Sequence, residues 1–558
     1  MSAQPGNEGK GRSRRGSWPA QFPRRMDAPR ITLWQNLEIA ARRDAASTAL
    51  HFFGARLSYP RLLQDAEALA CWLQQRGEIA RGDRVLLHMQ NCPQWVVAYY
   101  AALRADAVVV PSNPMNSVNE IRHALSGSGA KVVVCAGDEA EKIVAAAKST
   151  DVRRILVVSY RDYLPAAPAF EPPDWVVGCP DRMSGCDSWS DALAHGAAPA
   201  GPALAGADDL CLLLYTSGST GAAKACMHTH GSLMHIAVGL AWWHSVVPGS
   251  TCLGVSPMSH IGGINHCINM PAYAGAGVAL LPRWRRDLAA RMIEHHRIGH
   301  VSMAPTAIID LLSDPDLPGY ELSSLRRIAS AGAAIADATL QRVDERLGVP
   351  VIQSYGLSET AGTTHSNPFE DPRNCLGIPF FNTDAQILDP VTHRPMADGE
   401  EGEIAVRGPQ LFSGYWERPQ ETAAAFIETE QGRFFLTGDI GRVDTDGYFW
   451  MRDRLKRMIN ASGFKVSPAE VEGILHGHPA VREACVVGVP DAYRGETVKA
   501  FVVLNDEHRN RIQAADIVEW SRGQMAAYKY PRLIEFVDEL PKSSFGKVLW
   551  QKLQEQHR

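Results

Sequence analysis

The chain carries almost no surplus charge. Its formal net charge of −5 over 558 residues is nearly balanced, which leaves no electrostatic case for nucleic acid or an anionic membrane as a partner. Long apolar runs are missing too. The most apolar stretch, Trp95 to Val110, is broken by Arg104 and Asp106, whereas a bilayer span needs about 20 apolar residues. No integral membrane segment is expected. The eleven cysteines are odd in number and scattered, with no CxxC pair and no Cys/His cluster at ligand spacing. They read as small buried hydrophobes in a reducing compartment, so the cytoplasm is the expected location. An apolar h-region is absent from residues 1–28, which excludes a secretory signal. Those residues are instead rich in Arg, Gly, Ser and Pro, the composition of a disordered basic tail. A transit peptide and a start at Met26 remain open alternatives.

What is present points to an α/β enzyme of more than one domain. Helical periodicity over Asn36 to Arg43, Tyr59 to Gln75, Gln94 to Leu103, Asn119 to Leu125 and Ala140 to Lys148 alternates with short apolar runs at Arg84 to Met89, Val108 to Val110, Lys131 to Cys135 and Arg154 to Val158. This is the signature of βα units around a mainly parallel sheet. Pro111 is expected to stop the second run, and 164–208 reads as a long irregular connection. The alternation resumes at Thr251 to Val255, Gly277 to Leu281, His300 to Ala304 and Arg327 to Ala331, implying a second, similar α/β half. Short strands with Gly-rich turns at about 383–450 predict a smaller β subdomain. A small α+β unit closes the chain, its first helix announced by the capping box Ser467-Pro468-Ala469-Glu470. The expected division is a tail over 1–28, a large domain over 29–453, and a mobile C-terminal domain over 454–558.

Tyr215-Thr216-Ser217-Gly218-Ser219-Thr220-Gly221-Ala222-Ala223-Lys224 follows the apolar run Cys211 to Leu214. A strand here enters a loop whose glycines admit an anion, whose hydroxyls and N–H groups donate to it, and whose lysine neutralises it. A Walker A loop would need glycine at Ala223 and Ser or Thr at Ala225. The loop therefore reads as a nucleotide-phosphate site of another class. Without wider context Cys226, beside it, is a packing residue.

The same loop, with Tyr355-Gly356-Leu357-Ser358-Glu359-Thr360, Leu436-Thr437-Gly438-Asp439, Asp453-Arg454-Leu455-Lys456 and Phe545-Gly546-Lys547, resembles in type and order the motifs of the adenylate-forming superfamily of acyl-CoA synthetases, luciferases and peptide-synthetase adenylation domains. The likeness runs from about Ile31 to Leu553 and is nearest the fatty acyl-CoA ligases. It implies attack of a carboxylate on ATP to give acyl-AMP and pyrophosphate, then displacement of AMP by a thiol, here coenzyme A. On that resemblance Thr216 to Gly221 and Lys224 handle the phosphates, and Glu359 holds Mg²⁺. Tyr355 stacks on adenine within a pocket of Gly332, Ala333, Ala334, Gln353, Ser354, Gly356 and Thr360. Asp439 and Arg454 contact the ribose. Lys547 bridges the acid and the α-phosphate. After adenylation the small domain turns about Lys456 and brings Gly463, with Ser462 and Lys465, to the pantetheine.

The resemblance also makes His260 a border of the acyl and pantetheine space. The acid pocket should draw on Trp242, Trp243, His260, Ile261, Gly262, Gly263, Met303 and Thr306, which include no lysine or arginine. A medium- or long-chain fatty acid is the expected substrate. Alternatives are an aromatic or other acid, a carrier-protein acceptor, or a catalytically silent nucleotide-binding homologue; a homodimer is compatible with all of them. The sequence departs from the family loop TGxPKG at Ala223 and Ala225, and near the C-terminus at Phe545 and Trp550.

Overall fold

The computed structural model describes the chain apart from residues 1–17, 196–197, 217–222, 334, 455–456, 462–463, 492–494, 510, 527, 543–547 and 557–558, and leaves out the side chains at 454, 460, 464, 465 and 495. Two large sheets carry most of it. One orders seven strands as Asp187–Ser188, Arg154–Val158, Val132–Ala136, Arg84–His88, Val108–Ser112, Leu210–Tyr215 and Ala225–Thr229. All neighbours are parallel except the last two, which form a hairpin. Every residue of Val132–Ala136 is buried, as expected of a strand covered on both faces.

The second sheet has nine strands, in the order Ile378–Pro379, His365–Ser366, Val351–Tyr355, Arg327–Ala331, His300–Ser302, Thr251–Gly254, Gly277–Leu280, Thr48–Phe52 and Ala55–Ser58. Its centre is parallel and its edges antiparallel. Helix Pro93–Arg104 is buried along its whole length, and His230–Trp243 is apolar nearly all round; such helices are core elements rather than surface ones. A five-stranded antiparallel sheet over Asp384–Arg454 and a five-stranded C-terminal sheet with helices Pro468–Leu475 and Ala514–Gln524 complete an α/β fold with a small α+β end.

Four expectations need correction. Val108–Ser112 runs through Pro111. Its ladder toward Leu210–Tyr215 is a single pair, Val109 with Leu212, so the missing proline N–H interrupts little there. Within 164–208 the chain forms Asp174–Val177 and Trp189–Ala194 as helices and adds Asp187–Ser188 to the sheet edge. The described part of the expected disordered tail is packed. Trp18 meets Trp243 and Phe381 edge-on, Phe22 stacks on Trp243, and Met26 is 4% exposed with its N–H on Asn382. Aromatic burial supplies what the Arg-rich composition concealed. Lastly, Ser467 caps its helix, but Glu470 does not close a box. Its carboxylate pairs with Arg452 and Lys529 instead, while Asp453 accepts from the Ser467 hydroxyl and Ala469 N–H.

Candidate active site

The strands that flank the expected phosphate loop, Leu210–Tyr215 and Ala225–Thr229, pair antiparallel. Tyr215 pairs with Ala225 across the two strands, and Thr216 N–H donates to Lys224 O at 2.8 Å. Both ends of the loop are thus fixed, while Ser217, Gly218, Ser219, Thr220 and Gly221 lie outside the described residues. The two departures from the family pattern fall where the backbone is tied down. Ala225 is a buried strand residue whose carbonyl accepts from Trp416 N–H, and the Ala223 carbonyl faces His123 Nε2 at 3.1 Å. Lys224 Nζ lies 2.6 Å from Glu421 and 4.9 Å from the Tyr415 ring centre. The lysine holds the Glu421 carboxyl below its ordinary range. Both side chains are about a third exposed, where ion pairs are weak and exchangeable.

Strand Val351–Tyr355 leads into the tight turn Ser358–Thr360. At Gly356 a Cβ would stand 1.8 Å from the Gly362 carbonyl oxygen, so only glycine permits the backbone to double back here. The Thr360 hydroxyl is buried and engaged with the Leu357 backbone, which makes it a brace of the turn. His228 Nε2–H donates to the Ser358 carbonyl at 2.7 Å. Burial pushes the His228 imidazole down to about 4, so it acts as a neutral donor. Glu359 is half-buried; its backbone carbonyl accepts from Phe412 N–H, and Oε1 accepts from the Tyr415 hydroxyl at 2.8 Å. Burial and then the Glu359 charge push the Tyr415 phenol well above its ordinary range. The second Glu359 oxygen carries no hydrogen bond among the described residues. A half-open carboxylate beside a phosphate loop fits a Mg²⁺ ligand.

A second tyrosine–carboxylate pair lies deeper. Tyr355 donates to Asp439 Oδ2 at 2.6 Å, and Asp439 is fully buried. The strand ladder sets Arg454 directly opposite Asp439. Gly438, at φ +72°, turns the chain into Asp439, and its N–H is held by the buried Glu403 carboxylate at 2.8 Å. Burial raises Glu403, and the Gly438 N–H partly offsets this. Gly332 and Ala333 lie exposed just past strand Arg327–Ala331, at the carboxyl ends of the parallel strands where open α/β sheets bind ligands. Gln353 and Ser354 spend their side chains on Asn374 and Ser366. Ala334 lies outside the described residues.

The expected acid wall divides. Ile261 and Met303 are buried, and His260 is exposed with Nδ1 accepting from Gly262 N–H. Asn265 ties this helix to the Glu359 turn through a 2.7 Å bond to the Ala361 carbonyl. Trp243 belongs to the aromatic core with Phe380 and Phe381 and donates to Asn367 O. Trp242 is 38% exposed over Phe381. Sequence reasoning passed over Tyr415, Asn265, His228 and Glu403, since none stands in a recognised motif. The order Gly414-Tyr415-Trp416, aromatic after glycine, was the only available signal for the first. Lys456, Ser462, Gly463 and Lys547 lie outside the described residues, as do the side chains of Arg454 and Lys465.

The family model for AMP-binding enzymes matches residues 37–416, and that for the AMP-binding enzyme C-terminal domain matches 470–547. The chain is 34% identical to a long-chain-fatty-acid–CoA ligase of Bacillus subtilis, over 97% of both chains. It is also 34% identical to a feruloyl-CoA synthase of Amycolatopsis, over 91% of this chain and 96% of the other. Among solved structures, ATP-bound MatB from Rhodopseudomonas palustris superposes with a TM-score of 0.83 at 28% identity, over 95% of this chain and 99% of that one. No helix among the described residues is long and apolar enough to cross a membrane.

Proposed function

This chain belongs to the AMP-binding enzyme family and is an AMP-forming acyl-CoA synthetase, and from that premise we propose that it activates a medium- or long-chain fatty acid. The observation that carries the choice of acid is the wall fastened to the Glu359 turn by Asn265. Ile261 and Met303 are buried there, and none of the eight pocket residues is cationic. An apolar tail loses nothing on entering such a wall, whereas a second carboxylate would go unpaired. Equal identity to a feruloyl-CoA synthase favours an aromatic acid as the second reading.

Two displacements make up the proposed reaction. The acid's carboxylate oxygen attacks the α-phosphorus of ATP, and the bond to the β-phosphate oxygen breaks to release pyrophosphate. The CoA sulfur, having lost its proton, then attacks the acyl carbon, and the acyl C–O bond breaks to release AMP. Lys224 and the loop around it would meet the departing pyrophosphate, exchanging Glu421 for phosphate oxygens. Tyr355 would stack on adenine, while Asp439 and Arg454 take the ribose. Glu359 would hold Mg²⁺, which when bound neutralises phosphate charge. Lys547 would bridge the acid and the α-phosphate, and fixed charge aimed at the reacting centre lowers the barrier. The 454–558 domain would turn about Lys456 to set Gly463, Ser462 and Lys465 along the pantetheine, with His260 at its border.

The test is AMP release with and without CoA for acetate, octanoate, palmitate, benzoate and ferulate. Palmitate or octanoate should give the highest kcat/KM with CoA present; a preference for ferulate or benzoate overturns the fatty-acid assignment. The division of labour has its own test. Lys547→Ala should lose adenylation by about 10²- to 10³-fold yet still make thioester from supplied acyl-AMP, whereas Gly463→Leu should do the opposite. Equal losses in both halves would refute it.

A further inference from the structure

Behind the acid wall lies a cluster that the proposed reaction leaves unused. His244 follows helix His230–Trp243 as its C-cap, His266 sits in the π-helical turn Asn265–Asn269, and His300 opens strand His300–Ser302. One ring nitrogen from each lies within 4.8 Å of the other two, and His300 Nε2 is 3.4 Å from His266 Nδ1. Positions 22 and 34 residues apart in the chain converge only through the fold. We propose that His244, His266 and His300 bind a late first-row divalent cation, with Zn²⁺ the best match.

The ordinary reading is three core histidines satisfied by hydrogen bonds, and the geometry supplies only one within the trio, between His300 Nε2 and His266 Nδ1 at 3.4 Å. His244 is 3% exposed and neither ring nitrogen has a hydrogen-bond partner among the described residues; His300, 5% exposed, has none at Nδ1. Buried polar groups are nearly always paired, so each orphan calls for an explanation. Burial lowers all three imidazoles, that of His266 to about 4. All three therefore present the neutral form that ligates metals. Three imidazoles with no carboxylate favour Zn²⁺ and its neighbours over Mg²⁺ or Ca²⁺. Cys267 does not join them: burial raises its thiol, which points to the Ser256 carbonyl. The Arg327 guanidinium nearby is directed to the Trp243 carbonyl and the Ser245 hydroxyl.

Zn–N bonds of about 2.0–2.1 Å put tetrahedral nitrogens about 3.4 Å apart. The His266–His300 pair already has that separation, and the widest pair would close by at most about 1.4 Å through ring rotation. His266 is the least buried of the three. Asn265, the residue before it, holds the Glu359 turn. A bound ion would thus staple the acid-wall helix from its rear to strand and helix. π-turns recur at functional positions.

The full-length protein, stripped with a chelator, should take up one equivalent of Co²⁺ with ligand-field absorption in the visible. Zn²⁺ should displace it, and one equivalent of Zn²⁺ should raise the thermal midpoint. His244→Ala or His300→Ala should weaken Zn²⁺ binding at least about 100-fold, in line with loss of a ligand from a three-ligand site. If those buried variants fail to fold, His266→Gln, at the least buried of the three positions, carries the test with far-UV circular dichroism as the folding control. His476→Ala, on the surface of the C-terminal unit, should bind as wild type. Absence of the one-equivalent signal in the wild type, or its survival in His266→Gln, overturns the proposal.

Discussion

Two tyrosine–carboxylate hydrogen bonds hold the candidate site, at 2.6 Å for Tyr355–Asp439 and 2.8 Å for Tyr415–Glu359. Their chemistry is the same and their surroundings are opposite. Asp439 is fully buried, beside the 5%-exposed Glu403 that fixes its turn, so its geometry is set before any ligand arrives. Glu359 is half-open, and the Tyr415 that holds it also lies under the Lys224 ammonium. The first pair is built as a fixed socket and the second as an exchangeable one. That difference suits a ribose, which must be bound throughout, and a cation–phosphate group, part of which must leave.

The largest expected break of this contrast is Asp439→Asn. Two hydrogen bonds from ribose hydroxyls to a charged acceptor are together worth about 3–6 kcal/mol, or roughly 10²- to 10⁴-fold in kcat/KM for ATP. Acid-dependent ATP–pyrophosphate exchange measures it. In the wild type 2′-deoxy-ATP should be the poorer substrate, and in the variant that preference should shrink; an undiminished preference would remove Asp439 from the ribose.

The two hydroxyls themselves give a finer comparison. Tyr355→Phe keeps the ring but leaves a buried carboxylate short of one donor, a loss of about 1.5–3 kcal/mol or roughly 10- to 150-fold. Tyr415→Phe leaves Glu359 where water can substitute, so about 0.5–1.5 kcal/mol, or 2- to 13-fold, is expected. Steady-state kcat/KM for ATP at saturating acid orders the two. If Tyr415→Phe proves the costlier, the socket assignment is reversed.

Legibility followed the same line between fixed and convergent features. Alternating periodicity placed Tyr59–Gln75 and Arg154–Val158 to the residue, because apolar spacing is a local property. The motif residues Tyr355 and Asp439 were legible through resemblance, and the fold brings them into contact. Tyr415 was not, because its role arises from strand Ala225–Thr229 docking on residues 413–416, a pairing between segments almost two hundred positions apart. The histidine trio was invisible for the same reason: ligand spacing along the chain detects sites within one hairpin or helix, and this one joins three separate elements. Composition misread 18–28, where Trp18 and Phe22 outweigh the arginines around them.

The smallest effect at assay pH concerns the support beneath the exchangeable pair. His228 holds the Ser358 carbonyl as a neutral imidazole, with burial lowering it to about 4 from an ordinary 6.5. Between those values the unfolded chain takes up a proton that the folded chain refuses. Stability is therefore complete above about pH 6.5 and falls as pH drops toward 4, by about 2 kcal/mol at pH 5 for this one group. Other buried histidines, His230 and His235 among them, act in the same direction, so the total slope alone cannot isolate His228. His228→Gln can, since the amide retains an N–H for Ser358 and does not titrate. Urea midpoints measured from pH 7.5 to 4.5 should show a shallower fall in the variant, by close to one proton's worth, with kcat at pH 7.5 changed about twofold or less. An unchanged slope would mean that His228 protonates in the folded state without breaking its bond to Ser358, and the neutral imidazole would then not be what the Glu359 turn requires.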